Sequence, residues 1–547
     1  MTYQDIIPIR RLLKRTWKHF FRPFGGRLYA VQIKAIPPIL KGKNVIIQSP
    51  TASGKTEAVI APVIERLLNS SFASPAVLYI CPTRALVYDI FERLIQQVSD
   101  LQLTMAIRTG EIRQFNPENP QDILLTTPES LDSMLCRNQK NLENIEHVIL
   151  DELHLLHGTY RGDQLRIDLH RLQKILHHQP QYSALSATFK NPDKIASQYF
   201  TPYEVIKIEG QRELEYKIIK IENLSTYSEL LSYFKNSGIK KVLFFCNSRA
   251  QTEEIGQLLK SIQIWPKESV FVHHGSLGKY ERLVAEKEFK KRRNAICVST
   301  MTLEVGIDIG DIDMISLVGP PPSVSSLLQR IGRGNRRENI TRAIGLYVTE
   351  KERDEFQNLF ELAIKGELEE VDRGPCLSVA VQQIFSILYQ MRHKGVEESY
   401  LKELLNNLPM RESEITSLLR HLQDKEYIQL HRNRLYPSVK VVDLGDRGFI
   451  HSNIPGITSY NVINEITGKS VGEIGSFDQI NKEFVLSGER WKIVSIQGER
   501  IKVSQSKSYY GRPPIFPPTQ IHGRYYNLLP SSLKILCCKE VSQMTQV

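Results

Sequence analysis

The sequence predicts an α/β protein: two successive units, each a parallel sheet covered by helices, then a winged helix and a small β-rich domain. Three observations predict it. From about residue 24 to 200, short apolar runs alternate with helix-period segments, the pattern of a parallel sheet under helices. The pattern restarts after a charged stretch at about 209–223. It ends near Gly374-Pro375, where helical segments and a hairpin pattern take over. The 547 residues also exceed what one core holds, since single cores rarely grow past about 300 residues.

Residues 1–23 read as a basic amphipathic helix. Arg10, Lys14 and Lys18 recur at i, i+4 beside Leu12, Leu13, Trp17, Phe20 and Phe21, giving a solvated face or a nucleic-acid or partner contact. In the unit 24–205, strands are expected at 44–48, 76–81, 122–126, 148–150 and 182–186, with helices such as 55–68 and 84–98 between them. In the unit 206–370, the expected strands are 241–246, 270–273, 295–299 and 314–318, and the helices 250–262 and 277–290. Residues 377–394, 397–407 and 411–424 read as helices. A hairpin at 427–437 carrying His431, Arg432 and Arg434 completes a winged helix over 371–445. From 446 to 547, short strands between Gly468, Gly488 and Gly498 predict a β-barrel-like domain.

Composition sets outer limits. Charged residues make up 24% and hydrophobic ones 41%, which excludes a mostly disordered chain, a collagen-like one and a coiled-coil rod. Lys plus Arg is 71 against 60 Asp plus Glu, so the formal charge of +11 makes a polyanion a plausible partner. None of the 7 cysteines is spaced as CxxC, which argues against a local zinc or Fe–S site and for a reducing cytoplasm. No signal peptide and no apolar stretch of about 20 residues is visible, so no membrane segment is expected.

The chemistry begins at Ser49-Pro-Thr-Ala-Ser-Gly-Lys-Thr56, between an expected strand and an expected helix. Backbone N–H groups of such a loop, Ser53 and Gly54 included, surround phosphates at a helix N-terminus. Lys55 neutralises phosphate charge and the Thr56 hydroxyl ligates Mg²⁺. Some 95 residues later, Val148-Ile-Leu-Asp-Glu-Leu-His154 ends an apolar strand in paired carboxylates. Asp151 suits Mg²⁺, and Glu152 suits a general base on the attacking water. His154 reads as structural or as a link from the ATP site to other motifs. Trp491 reads as a core tryptophan and the basic run 287–293 as a solvated helix end.

With these residues the chain resembles the DExH-box helicases of superfamily 2, and the order of further motifs supports the resemblance. They are Gln32, Pro82-Thr-Arg-Ala-Leu86, Thr109-Gly110, Thr127-Pro-Glu129 and Ser186-Ala-Thr188, then Phe245-Cys-Asn-Ser-Arg249 and His273-His-Gly275. Ser299-Thr300, Glu304-Val-Gly-Ile-Asp308 and Gln329-Arg-Ile-Gly-Arg-Gly-Asn-Arg336 close the series. The resemblance implies tandem RecA-like domains that bind ATP and Mg²⁺. It places Gln32 at adenine, Asp308 at the nucleotide, and Arg333 and Arg336 at the arginine-finger positions. It assigns Arg84, Thr127, Pro128, Ser248, Arg249 and Thr300 to nucleic acid. Arg330 and Arg337 read as solvated or strand-facing. Asn335 stands where the family often has Gly, and Ser49 and Ala52 replace two loop glycines.

Asp151-Glu-Leu-His-Leu-Leu-His-Gly-Thr-Tyr-Arg-Gly162 narrows the resemblance to the Lhr (large helicase-related) type, in a short form. Ser378-Val-Ala-Val-Gln-Gln-Ile384 and Phe484-Val-Leu-Ser-Gly-Glu-Arg-Trp-Lys-Ile-Val494 are similar to later segments of that family. It implies a 3′-to-5′ translocase on single-stranded DNA that unwinds DNA or RNA:DNA duplexes in repair or genome maintenance. An RNA helicase in RNA processing, a binding scaffold with a vestigial ATPase, and an ATPase subunit of a defence complex stay open beside it, because phosphate-directed motifs do not read the sugar.

Overall fold

The structure is a computed structural model; it describes residues 3–50, 53–187, 190–208, 213–304, 309–334, 340–368, 376–455, 459–477, 482–506, 512–516 and 522–538. Seven strands form the first sheet: β1 (Val45–Gln48), β2 (Val77–Ile80), β3 (Met105–Arg108), β4 (Ile123–Thr126), β5 (His147–Leu150), β6 (Gln181–Ser186) and β7 (Glu204–Lys207). Their order is β3-β4-β2-β5-β6-β1-β7, with every neighbouring pair parallel. Helices α1 (Tyr3–Leu12), α2 (Trp17–Phe20), α3 (Ala30–Leu40), α4 (Lys55–Leu68), α5 (Arg84–Ser99), α6 (Pro128–Arg137), α7 (Tyr160–Ile175) and α8 (Pro192–Ala196) belong to the same domain. Helices on both faces bury the strands twice over, so Val45-Ile-Ile47 and Val77-Leu-Tyr-Ile80 are apolar throughout rather than alternating. The two unexpected strands, β3 and β7, are the edges; in β7 Glu204 and Lys207 flank two apolar residues, as one-sided pairing allows.

The expected continuous helix over 1–23 is broken between Leu12 and Trp17. Glu65 of α4 is buried and accepts the backbone N–H groups of Arg15 at 3.0 Å and Thr16 at 2.9 Å, together with the Thr16 hydroxyl. Those two N–H groups are thereby withdrawn from the helical ladder.

The second α/β domain holds β8 (Glu213–Lys220), β9 (Lys241–Cys246), β10 (Val270–His273), β11 (Ala295–Ser299), β12 (Met314–Val318) and β13 (Ile340–Tyr347), in the order β10-β11-β9-β12-β13-β8, again all parallel. Its helices are α9 (Leu224–Asn236), α10 (Arg249–Ile262), α11 (Lys279–Lys291), α12 (Val324–Ile331) and α13 (Glu350–Lys365). The charged stretch read as a divider is largely strand β8, an edge whose glutamates and lysines face outward.

Three helices and a hairpin follow: α14 (Ser378–Gln390), α15 (Glu398–Leu405), α16 (Glu412–Asp424), β14 (Ile428–His431) and β15 (Arg434–Pro437), then α17 (Val439–Asp446). Arg432 and Asn433 make the hairpin turn at φ of 45° and 63°, the left-handed pair that a two-residue turn requires. This module shares a compact unit with the first α/β domain. The reason is α14, buried along its length from Ser378 to Tyr389. Its polar side chains close a network on Asp132 of α6, which is fully buried. Asp132 accepts from Arg171 at 2.7 Å, His451 Nδ1 at 2.8 Å, Ser386 at 2.9 Å and Gln383 at 3.2 Å.

Five strands make the last sheet, β16 (Tyr460–Asn464), β17 (Ser470–Ile474), β18 (Glu483–Leu486), β19 (Glu489–Gln497) and β20 (Arg500–Gln505), in the order β17-β16-β20-β19-β18. Among the described residues no ladder joins β17 directly to β18, but the segment 512–516 bonds beside both: Ile515 bridges to Ser476 just past β17, and the Arg512 carbonyl accepts the Val485 N–H of β18. The sheet shares a unit with the second α/β domain. Buried Glu253 of α10 accepts the N–H groups of Ser487 at 2.6 Å and Gly488 at 2.7 Å in the β18–β19 turn, and pairs with His274 Nε2 at 2.9 Å. Trp491 is buried in this sheet's core, its indole N–H donating to the Leu486 carbonyl. The chain then returns: Tyr525, Leu529 and Leu533 of the segment entering α18 (Ser531–Cys538) pack in the core of the helical module, not with the sheet. No helix among the described residues is long and apolar enough to cross a membrane.

Candidate functional site

Strand order sorts the motifs of the first sheet into two halves of one edge. β5, β6 and β1 are neighbours, and beyond their C-terminal ends lie Asp151-Glu152, Ser186-Ala187 and the loop from Ser49. β3, β4 and β2 are neighbours too, and beyond them lie Thr109-Gly110, Thr127-Pro128 and Thr83-Arg84. Phosphate chemistry and the motifs assigned to nucleic acid thus occupy adjoining halves, as ligand sites at the carboxyl ends of parallel strands do.

In the first half, Gly54 caps α4 at φ 81°, a left-handed conformation in which an added Cβ would also collide with the Gln32 amide. Gln32 Nε2 donates to the Gly54 carbonyl at 3.3 Å, and its Oε1 accepts the Tyr29 N–H at 2.8 Å, so this side chain braces the loop. Ser53 donates to the Pro50 carbonyl at 2.8 Å and lies 2.6 Å from the Ser49 hydroxyl. Lys55 is buried, and its ammonium donates to the carbonyls of Ser49 at 2.7 Å and Pro50 at 3.1 Å. Thr56 follows in the first turn of α4.

Asp151 follows β5 and is buried. Burial and the neighbouring Glu152 carboxylate push its carboxyl up to about 7, against the Tyr79 hydrogen bond and the Lys55 charge. Tyr79, in the middle of β2, donates to Asp151 at 2.8 Å. Glu152 has a φ of 42°, an unusual left-handed conformation for a residue with a side chain. His154 Nδ1 lies 3.5 Å from the Glu152 carboxylate, 3.3 Å from the Ser186 hydroxyl and 3.4 Å from the Ala187 N–H. It therefore joins the carboxylate motif to the Ser-Ala-Thr motif, the second of the two readings open to it. These residues fit a magnesium-bound nucleoside triphosphate. A helix N-terminus, a glycine cradle and a buried lysine suit the phosphates, and a buried carboxyl that a divalent cation would deprotonate suits the metal.

In the second half, Arg84 opens α5 and pairs with Glu111 beside Thr109-Gly110, joining two of the motifs. Thr127 and Pro128 open α6 and are buried. Glu129, next in line, accepts both arms of the Arg161 fork at 2.5 and 3.0 Å, and the Arg161 charge holds its carboxyl below the ordinary range despite burial. Gly162 cannot carry a Cβ, which would meet the Leu156 carbonyl. Arg161, near the end of the run from Asp151 to Gly162, is therefore the support of Glu129. Neither Tyr79 nor Arg161 had been singled out as a site residue; a tyrosine inside an otherwise aliphatic strand was the available signal for the first.

The second domain repeats the sorting on β10, β11 and β9. Beyond them lie His274-Gly275, Thr300 and Ser248-Arg249. Ser248 caps α10 through Gln251, Arg249 reaches the Ser276 hydroxyl at 2.9 Å, and Thr300 is buried. Arg330 corrects an expectation. It is neither solvated nor strand-facing but buried, donating to Glu304 at 2.6 Å and Asn247 at 2.9 Å, which ties three motifs together. Arg333 is buried and donates to the Glu304 carbonyl. Thr188, Asp308, Arg336 and Arg337 lie outside the described residues.

Family models agree with this geometry. Residues 29–195 match the DEAD/DEAH box helicase model and residues 222–338 the helicase conserved C-terminal domain model. The fold and its motifs define a DEAD/DEAH-box helicase core. Within that class the chain's relatives include helicases of the Lhr type. It is 29% identical to the ATP-dependent helicase Lhr-Core of Methanocaldococcus jannaschii over 93% of this chain and 64% of that protein. It thus spans a little under two thirds of that relative's length. Among solved structures, the Mycobacterium smegmatis helicase Lhr bound to ssDNA and AMP-PNP superposes with a TM-score of 0.70 at 24% identity, covering 81% of this chain and 63% of that one. The DUF1998 helicase MrfA bound to DNA and AMPPNP gives 0.73 at 19% identity, covering 91% and 73%. Both likenesses establish the fold.

Proposed function

We propose that the chain is a nucleic-acid-stimulated ATPase that moves 3′-to-5′ on single-stranded DNA and separates DNA or RNA:DNA duplexes in repair or genome maintenance. The observation that carries this is the shared edge of the first sheet, where phosphate-binding and nucleic-acid motifs adjoin and His154 links Glu152 to Ser186.

In this reading Gln32 selects the base, Ser53, Gly54 and Lys55 hold the phosphates, and Thr56 and Asp151 hold Mg²⁺. An ion held there would neutralise charge on the phosphate oxygens. Lys55 is held ready by two loop carbonyls, which it exchanges for phosphate oxygens. Glu152 takes the proton of the attacking water, its orientation fixed by its left-handed backbone and by His154. Arg333 and Arg336, with Asp308, are the second domain's candidates for the nucleotide, and Arg333 would have to leave the Glu304 carbonyl to reach it. Arg84, Thr127, Pro128, Ser248, Arg249 and Thr300 grip phosphates or sugars, largely at helix N-termini. The ssDNA in the M. smegmatis Lhr structure supports DNA as the tracked strand.

Strand displacement from 3′- and 5′-tailed duplexes of DNA and of RNA:DNA hybrid tests the reading. ATP-dependent release from 3′-tailed substrates is the expected result. Release from 5′ tails alone contradicts the polarity, and release only from RNA tails moves the function to RNA.

A further inference from the structure

The basic N-terminal arm is used by neither set of motifs. Among residues 10–27, seven are Lys or Arg and none is Asp or Glu, so this short segment equals seven of the eleven net positive charges. The arm is firmly seated. Ile9, Leu13, Phe20 and Phe21 are buried, Glu65 holds the turn at Arg15 and Thr16, and Trp17 packs on Phe21 at 5.3 Å between ring centroids. Seating the apolar side turns the cations outward: Arg10, Arg11, Lys14, Lys18, Arg22 and Arg27 are all exposed. Among the described residues none of these six forms an ion pair, whereas Arg342, Arg411 and Arg434, also on the surface, pair with Glu215, Glu414 and Glu397.

Position separates the arm from the nucleotide. Glu65 lies ten residues beyond Lys55 on α4, about 15 Å along the helix axis. On α2, His19 lies 3.6 Å from Asp100, the residue that ends α5. Since α4 opens at the phosphate loop and α5 at Arg84, the arm sits at the far ends of both helices. Unneutralised cations on a fixed scaffold repel one another until a polyanion covers them.

We propose that this arm is a second nucleic-acid surface, which grips the phosphate backbone of a duplex. Single strands are held by aromatic platforms as well as charge. From Arg10 to Arg22 the arm offers no exposed aromatic ring, because Phe20 and Phe21 are buried and the half-buried Trp17 packs on Phe21, which leaves Phe24 as the one exposed aromatic ring of 10–27. A duplex supplies one phosphate charge per about 1.7 Å of axis and needs only point charges. The proposal is independent of ATP turnover, so loss of turnover with duplex binding intact would defeat the motor reading and leave the arm standing.

The full chain and its R10Q/R11Q/K14Q/K18Q variant are compared by fluorescence anisotropy over about 50 to 200 mM salt. The probes are a blunt duplex, a single strand of roughly 12 nucleotides and a polyglutamate peptide. The expected result is a duplex affinity reduced about ten-fold or more and a log–log salt slope shallower by about 3, given roughly 0.9 per phosphate contact. Single-strand affinity stays within about two-fold, and the peptide binds weakly to both proteins. An unchanged duplex slope overturns the proposal, as does an equal loss on the single strand. Peptide binding as tight as duplex binding, lost in the variant, reassigns the arm to an acidic protein. R22Q/R27Q reads the same surface outside the helices and decides the matter if the first variant folds poorly.

Discussion

His154 Nδ1 stands 3.5 Å from the carboxylate of Glu152, and the same nitrogen lies within 3.4 Å of both the Ser186 hydroxyl and the Ala187 N–H. One buried imidazole thus connects the proposed water-activating base to the strand end beside the phosphate loop. His154→Ala is expected to reduce both basal ATPase and its stimulation by single strand about ten-fold, the scale of one hydrogen bond. Steady-state phosphate release with and without strand measures both.

Gly54→Ala tests the phosphate cradle. The left-handed φ and the nearby Gln32 amide both oppose a side chain there. ATP affinity, read by a fluorescent nucleotide, should weaken by roughly ten-fold or more, with a modest drop in melting temperature from the strained backbone.

Asp132→Ala should weaken the first unit far more than a typical substitution. It removes the nearer of the two carboxylates on buried Arg171, leaving Asp168 at 3.5 Å, and the acceptor of His451 and Ser386. Breaking one side of a buried pair costs about 3–5 kcal/mol. Chemical denaturation should show that loss, and the apolar double variant Asp132→Leu/Arg171→Met should recover part of it.

Acid should destabilise the fold through buried histidines. Burial in the β5 core, with Arg66 nearby, pushes His147 down to about 3 from an unfolded value of about 6.5. His157, His170 and His273 are lowered by burial too. Below about pH 6.5 the unfolded chain binds protons that the folded chain refuses, so stability is full above that pH and falls toward pH 3. Each group contributes at most about 1.4 kcal/mol per pH unit. A denaturation series from pH 7 to about 4.5, repeated with His147→Gln, should show a shallower slope in the variant.

Much of this was legible in the sequence because strand ends and motifs coincide. The core strands β9 to β12 fall on the expected residues, since doubly buried strands write themselves as unbroken apolar runs. The charged edges β7 and β8 did not, because one-sided pairing tolerates charge, and neither did the apolar edge β3 nor the interior strand β13, where Thr341 and Arg342 interrupt the apolar run. Partners distant in sequence were also invisible. The Tyr79–Asp151 and Arg161–Glu129 contacts, the Glu65 bonds that break the first helix, and the Glu304 bond that buries Arg330 arise only once the domains are packed. Local periodicity carries no record of them.

The most direct test of the central claim is ATP hydrolysis by the full chain with and without single-stranded DNA, beside Lys55→Ala and Glu152→Gln. The account predicts strand-stimulated turnover that falls by at least about a hundred-fold in both variants, while the Glu152→Gln protein still binds nucleotide. Turnover unchanged in Lys55→Ala, or no turnover in the unaltered chain, would contradict it.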